Sequence, residues 1–158
     1  MTTLAKPQGC TNLRLRRLSR LVSRHYDAQV AASGLKTTQY SLLSHVLHLG
    51  PLRPVDLARA MSIEASTLTR NLKPLVAAGW VTQTEGPDAR SRLIAITDAG
   101  RAKRAEGQAH WRTAQLALND LLGVERVLAL HALLDDSLDI LQKAGLADDS
   151  NTGEEDHE

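Results

Sequence analysis

The sequence predicts a mainly α-helical chain carrying one small β-hairpin. Apolar residues recur at three- and four-residue steps through most of its length, the signature of helices buried on one face. Only two short runs have β character, Trp80-Val81-Thr82 and Leu93 to Ile96, and a turn-rich polar stretch separates them. The core must be aliphatic, because 158 residues include two Trp, two Tyr and no Phe. Leu, Ala and Val suit helices.

The elements follow in order. Leu15, Leu18, Val22 and Tyr26 give the helical period of a first helix from about Thr11 to Ala32, ended by Ser33-Gly34. Arg14, Arg16, Arg17, Arg20 and Arg24 occupy its other faces. Thr37 or Thr38 is the expected N-cap of a second helix reaching about Leu49, with Gly50-Pro51 as its stop. Pro54 opens a short third helix, Val55 to Ala60, since a first-turn residue needs no N–H. Met61-Ser62-Ile63 makes a turn with Ser62 as N-cap, and a fourth helix runs from about Glu64 to Ala78 before Gly79. The hairpin comes next. Thr97-Asp98 caps a long helix, Ala99 to Leu122, interrupted in pattern only by Gly107; Gly123 ends it. The last helix, Val124 to about Lys143, carries Val127, Leu130, Leu134, Leu138 and Leu141 as an apolar seam.

These elements group into a leader and first helix (1–36), a helix-turn-helix with a hairpin wing (37–97), two long C-terminal helices (98–144) and an acidic tail (145–158) expected to be disordered. The first and last helices are too long, and too apolar on one side, to bury themselves on so small a central block. A second copy of the chain is the simplest supplier of the missing surface.

Charge is distributed unevenly. Residues 1–49 carry seven Lys/Arg against one acid and residues 50–104 nine against five, whereas residues 105–158 carry three against twelve. The basic first two-thirds suits a polyanion, and the acidic end cannot belong to that surface. No apolar run approaches the roughly 18 residues of a membrane span, and the start lacks a signal-peptide core, so no membrane partner is expected. The single Cys10 excludes an internal disulfide and fits a reducing, cytoplasmic setting.

The central block has the layout of a DNA reader. A recognition helix needs short polar groups and long cations on its outer face, because base edges and phosphates lie side by side in the major groove. Leu68, Leu72, Leu75 and Val76 form the inward stripe of the fourth helix, leaving Ser66, Thr67, Thr69, Arg70 and Lys73 outside. Arg70 suits a guanine edge or a phosphate, and Lys73 a phosphate. On the hairpin, Arg90 is the residue to enter a narrow minor groove, whose negative potential attracts arginine. Asp88 can hold the tip's shape by binding a guanidinium; Arg92 is either that partner or a phosphate contact.

From Ser62 to Gly100 the run SIEASTLTRNLKPLVAAGWVTQTEGPDARSRLIAITDAG closely resembles the winged helix of MarR-family regulators. Its marks are Ser-Thr-x-Thr-Arg in the recognition helix, Leu-x-x-x-Gly-Trp-Val into the first strand, Asp-x-Arg in the wing and Ile96-Thr97-Asp98-Ala99-Gly100 opening the next helix. Element order and length extend the similarity over about residues 10–143. The resemblance implies a homodimer with intertwined N- and C-terminal helices, two winged helices on a pseudo-palindromic double-stranded operator, and a repressor released by a small ligand or by oxidation.

Three sensors are compatible with the residues. A pocket between the dimer helices and the winged helix, where the resemblance implies one, would draw on Arg14, Arg17, His25, Tyr40, His45 and Trp111, a cation-and-aromatic set suited to an aromatic carboxylate. Cys10 sits where hydroperoxide-sensing relatives carry a reactive cysteine, at a helix start whose positive end and neighbouring arginines favour a thiolate. However, Thr11-Asn12-Leu13 replaces the short apolar and aromatic run of those sensors. The pairs His45/His48 and Glu106/His110 have helical spacing, but without a tight motif no metal or other cofactor is expected. Neither a Gly-rich phosphate loop, a nucleophile elbow nor His-Glu-x-x-His is present, and the chain is not expected to be an enzyme.

Overall fold

A computed structural model describes residues 7–87 and 92–146 of the chain. Its elements are α1 (Thr11–Val30), a 3-10 turn (Ala31–Ser33), α2 (Thr37–Leu49), α3 (Pro54–Ala60), α4 (Ala65–Ala77), β1 (Val81–Glu85), β2 (Arg92–Ile96), α5 (Asp98–Leu122) and α6 (Val124–Lys143). The mainly helical fold with one antiparallel hairpin is thus the one expected from periodicity.

The core lies beneath the central block. Leu42, Leu43 and Val46 of α2, Leu57 of α3, Leu68, Leu72 and Leu75 of α4, Val81 of β1 and Ile94 of β2 are buried together, with Val30, Leu35 and Tyr40 on the side facing α1 and α5. Burial of a leucine-sized side chain contributes about 1.5–3 kcal/mol, so this cluster dominates the stability of the block.

Several local features differ from expectation. Ser62 does not cap α4. It closes α3: Ser62 N–H donates to Arg59 O at 3.1 Å and Ile63 N–H to Ala58 O at 3.0 Å, the two bonds of a Schellman motif, with Ser62 itself left-handed at φ 51°. Glu64 is then the N-cap of α4, without a side-chain cap bond. The end of α4 repeats the same motif with Gly79 at φ 73°, a conformation only glycine adopts without steric cost.

Neither threonine caps α2. Lys36 holds the N-cap position, and its N–H donates to Gln39 Oε1 at 2.9 Å, while Thr37 Oγ1 is buried without a partner. The first helix stops two residues early and passes into the 3-10 turn. The first strand begins at Val81 rather than Trp80 and extends to Glu85.

The hairpin has a third participant. β1 and β2 pair in register from Val81 opposite Ile96 to Glu85 opposite Arg92. On its other edge β2 bonds to Leu52, between α2 and α3, through Ile94 N–H to Leu52 O at 2.8 Å and Leu52 N–H to Ile94 O at 3.1 Å. The wing is therefore stitched to the helix-turn-helix at its root.

Thr97 anchors the other end of the hairpin. Its Oγ1 accepts from Gly100 N–H at 3.0 Å and donates to Gly79 O at 2.6 Å, while Thr97 N–H donates to Trp80 O at 3.1 Å. One residue thus caps α5 and ties it to the junction between α4 and β1.

The outer helices are much less buried. α1 packs along α5, yet Leu13, Leu15, Leu18 and Leu21 remain exposed, as do Leu116 and Leu121 of α5 and Leu128, Leu133, Leu138, Ile140 and Leu141 of α6. In the α6 seam only Val127 is buried; Leu134, Leu138 and Leu141 are exposed. No described helix is long and apolar enough to cross a membrane.

Candidate nucleic-acid interface and effector cluster

The sequence makes α4 two-faced, and packing fixes which face is free. Leu68, Leu72 and Leu75 turn into the core, which leaves Ser66, Thr69, Arg70 and Lys73 exposed and Thr67 half-buried. Val76, expected in the inward stripe, is exposed at the edge. Thr69 donates its hydroxyl to Ala65 O at 2.9 Å, which leaves its oxygen able to accept. Neither Arg70 nor Lys73 has an ion-pair partner among the described residues. The outer face of α4 is thus a strip of hydroxyls followed by two cations.

Just before α4, Arg53 and Arg59 close on Asp56. Arg53 Nε is 2.7 Å from Asp56 Oδ2 and Arg59 Nη1 3.6 Å from Oδ1. The hydrogen bond from Arg53, helped by the charge of both guanidiniums, holds the Asp56 carboxyl below the ordinary carboxylate range. This clamp fixes the start of α3.

Of the wing residues, Arg92 opens β2, exposed and in register opposite Glu85. That position gives it an acidic cross-strand neighbour, a pairing the sequence reading did not include. Asp88 and Arg90 lie outside the described residues.

The expected effector residues divide into two groups. His25, Tyr40 and Trp111 come together where α1, α2 and α5 meet. His25 Nε2–H donates to Ala114 O at 2.7 Å, and the Tyr40 and Trp111 rings stack with centroids 6.1 Å apart. Two residues missed from sequence complete the cluster. Tyr26 lies edge-on to His25 at 5.8 Å and 6.3 Å from Trp111; its hydroxyl donates to Gln115 Oε1, and burial pushes its pKa up. Arg104 lies 5.7 Å from the Tyr40 ring centroid, held by Ser44 Oγ at 3.1 Å and Gln108 Oε1 at 2.7 Å. The signal for Arg104 was available: 104, 107, 111 and 114 share one face of a helix.

Arg14, Arg17 and His45 are not brought into that cluster by any recorded contact. Arg14 and Arg17 are exposed on the first half of α1, and His45 donates from Nδ1 to Ser41 O of its own helix at 2.8 Å.

An apolar groove of about 300 Å³ adjoins the cluster at Tyr26 and Gln115 and runs between α1, α5 and α6, lined further by Leu15, Leu18, Val22, Leu118, Leu122, Val127, Leu130 and Leu134 with His131. Cys10 is exposed at the N-cap of α1, its Sγ accepting from Leu13 N–H at 3.5 Å. Glu106 is paired with Lys103 at 3.1 Å, and no group of three His, Cys, Asp or Glu suited to a metal occurs among the described residues.

Comparison with known proteins gives a consistent picture. Residues 33–91 match the sequence profile of the MarR family. The chain is 31% identical over 88 residues to the uncharacterised HTH-type transcriptional regulator YwoH of Bacillus subtilis, a match covering 56% of this chain and 64% of that protein. Against the next curated relatives it spans 45% and 48% of their length.

Among solved structures, the M. tuberculosis transcriptional regulator MosR in complex with DNA superposes with a TM-score of 0.67 at 30% identity, covering 82% of this chain and 98% of that one. A cysteine-to-serine variant of E. coli MarR complexed with operator DNA superposes with a TM-score of 0.73 at 24% identity, covering 80% and 92%; that likeness is one of fold.

Proposed function

Because the chain belongs to the MarR family of transcriptional regulators, we propose that it is a DNA-binding repressor that works as a homodimer in the cytoplasm, by binding rather than by catalysis. α4 enters the major groove of each half of a pseudo-palindromic operator. Ser66, Thr67 and Thr69 meet base edges or phosphates, Arg70 takes a guanine edge or a phosphate, and Lys73 a phosphate. The wing brings Arg90 to the minor groove, shaped by Asp88, with Arg92 beside the backbone.

The observation that carries this reading is the free outer face of α4, with Arg70 and Lys73 exposed next to a hairpin rooted on the same core. The test is fluorescence anisotropy against the DNA upstream of the chain's own gene at two or more salt concentrations. Three phosphate contacts per protomer give log K against log salt a slope of about −5, and Lys73→Ala makes it shallower by about 2. Arg90→Ala weakens binding and leaves dimerisation unchanged. Salt-independent, weak binding would reject the assignment.

Release by a small aromatic carboxylate is assigned to the cluster of His25, Tyr26, Tyr40 and Trp111, with Arg104 as the cation. An anionic aromatic suits rings that stack and a guanidinium whose two hydrogen-bond partners are neutral. Trp111→Leu should retain operator binding and lose release in a titration with aromatic acids. The exposed Cys10 at a helix N-cap supports a second reading, release by oxidation. Cys10→Ser that still responds to the acid and not to peroxide separates the two.

A further inference from the structure

α1 carries a dense stripe of positive charge. Arg16, Arg17, Arg20 and Arg24 fall on one face of the helix by its 3.6-residue period, and all four are exposed. Arg16/Arg20 and Arg20/Arg24 stand four residues apart and Arg17/Arg20 three, spacings at which like charges repel. Among the described residues none of the four is in an ion pair. The one acid of α1, Asp27, stands on the same face about one turn beyond Arg24, where it accepts from Thr37 N–H at 3.2 Å. The opposite edge of the helix, Leu15, Leu18 and Val22, lines the groove shared with α5 and α6, so the arginine stripe faces away from that groove.

Two sets of anions in the chain could answer it. Asp135 of α6 stands one turn from the groove-lining His131, while Asp136 and Asp139 project from the side of that helix opposite Leu130 and Leu134, Asp139 being held by Lys143 at 2.6 Å. These last two turn away from the groove on one helix as the arginines do on the other. Residues 147–158 are the second set. They contain Asp148, Asp149, Glu154, Glu155, Asp156 and Glu158 and no Lys or Arg.

Reach permits the contact. Leu134 of α6 lines the same groove as Leu15 of α1, and from Leu134 to the end of α6 is about 15 Å of helix. The twelve residues beyond Leu146 span up to about 40 Å when extended, more than the roughly 30 Å length of α1.

We propose that the acidic segment 147–158 docks on the arginine stripe Arg16-Arg17-Arg20-Arg24 of α1. The stripe is then a clasp for the chain's own polyanionic end, and the basic excess of residues 1–49 is neutralised within the protein instead of by nucleic acid. Because guanidinium–carboxylate pairs on an exposed helix are screened by salt, the clasp opens as ionic strength rises.

The experiment uses the full chain with Cys10→Ser and Thr152→Cys, a nitroxide on the new thiol and amide resonances as the readout. Docking broadens the amides of residues 14–24 selectively at low salt. The broadening falls at least twofold in about 0.5 M salt. It disappears in the tail variant Glu154→Gln/Glu155→Gln/Asp156→Asn, which leaves the described fold untouched, and in Arg16→Gln/Arg20→Gln/Arg24→Gln. Broadening absent from α1, centred instead on α4, or unchanged in the tail variant overturns the proposal.

Discussion

The Thr97 hydroxyl accepts from Gly100 N–H and donates to Gly79 O, so Thr97→Ala removes a helix cap and a tertiary tie together. The expected loss is about 1–2 kcal/mol, read as a fall in thermal midpoint of about 3–6 °C for a chain of this size. Gly100 lies one turn on, where an added Cβ would run into the carbonyl of Trp80 and the side chain of Ile96. The obstacle at Trp80 is backbone and cannot rotate aside. At Gly107 the atoms met are side-chain carbons, Leu35 Cδ1 at 2.9 Å and Tyr40 Cδ2 at 3.0 Å. Gly100→Ala should therefore be the more damaging of the two, by about 3 kcal/mol or more against 1–2 kcal/mol for Gly107→Ala, measured by urea unfolding. From sequence, Gly107 was only an interruption in a helical pattern. A close approach depends on what another element brings to the site, and local periodicity carries no record of it.

At the level of elements, the turn between α3 and α4 separates what sequence reveals from what it does not. A serine between two short helices satisfies the pattern of an N-cap and equally that of a left-handed closing residue. The backbone bonds Ser62–Arg59 and Ile63–Ala58 decide for the second. Ser62→Gly should leave the fold intact and raise stability by a few tenths to about 1 kcal/mol, because a left-handed residue with a Cβ carries a steric cost of about 1–2 kcal/mol, partly offset by the greater freedom of glycine when unfolded.

The clamp on Asp56 makes a pH-dependent contribution of definite sign. Its folded carboxyl titrates below the ordinary range, so the stabilisation is fully present above the unfolded value of about 3.9 and is lost as pH falls through the lower, folded one. Asp56→Asn should be less stable than the parent near about pH 6, and the difference should vanish only once the pH has fallen below the depressed folded value and Asp56 is protonated in both states. The hairpin was legible because two short β-type runs flank a turn-rich polar stretch. The Leu52 bridge was not, since a one-residue strand has no period to read.

For the whole molecule, leucines exposed on α1, α5 and α6 argue that one chain is an incomplete core. Leu134 and Leu138 were read from sequence as part of an apolar seam that the central block cannot cover, and they are 37% and 54% exposed in a single chain. Their periodicity was correctly recognised, and among the described residues of one chain nothing covers them. Under the proposed dimer, Leu134→Glu/Leu138→Glu should shift the protein to monomer in sedimentation equilibrium and weaken operator binding at least tenfold, because two half-sites would then be bound separately. Retention of the parent's mass would place the interface elsewhere. The outer face of α4 was legible except at its edges, where Val76 is exposed and Thr67 half-buried, since a surface helix of a packed block shows its outward side in its own period. The aromatic cluster between α1, α2 and α5 was legible only in part. Tyr26 and Arg104 join it through packing among three helices that no single helix records.

The tie at Thr97 also has a mechanical meaning. α5 has 25 residues and is therefore a rod about 37 Å long, with the aromatic cluster along its middle and the root of the wing pinned at its first residue. Tilting such a rod by about 5° about its far end carries the pinned end through about 3 Å, close to the length of one hydrogen bond. The hairpin must follow, because Thr97 grips Gly79 and Trp80 while Ile94 grips Leu52. A displacement too small to disturb any packed layer near the rings is thereby magnified into a shift of the wing root and of the end of α4 to which it is tied.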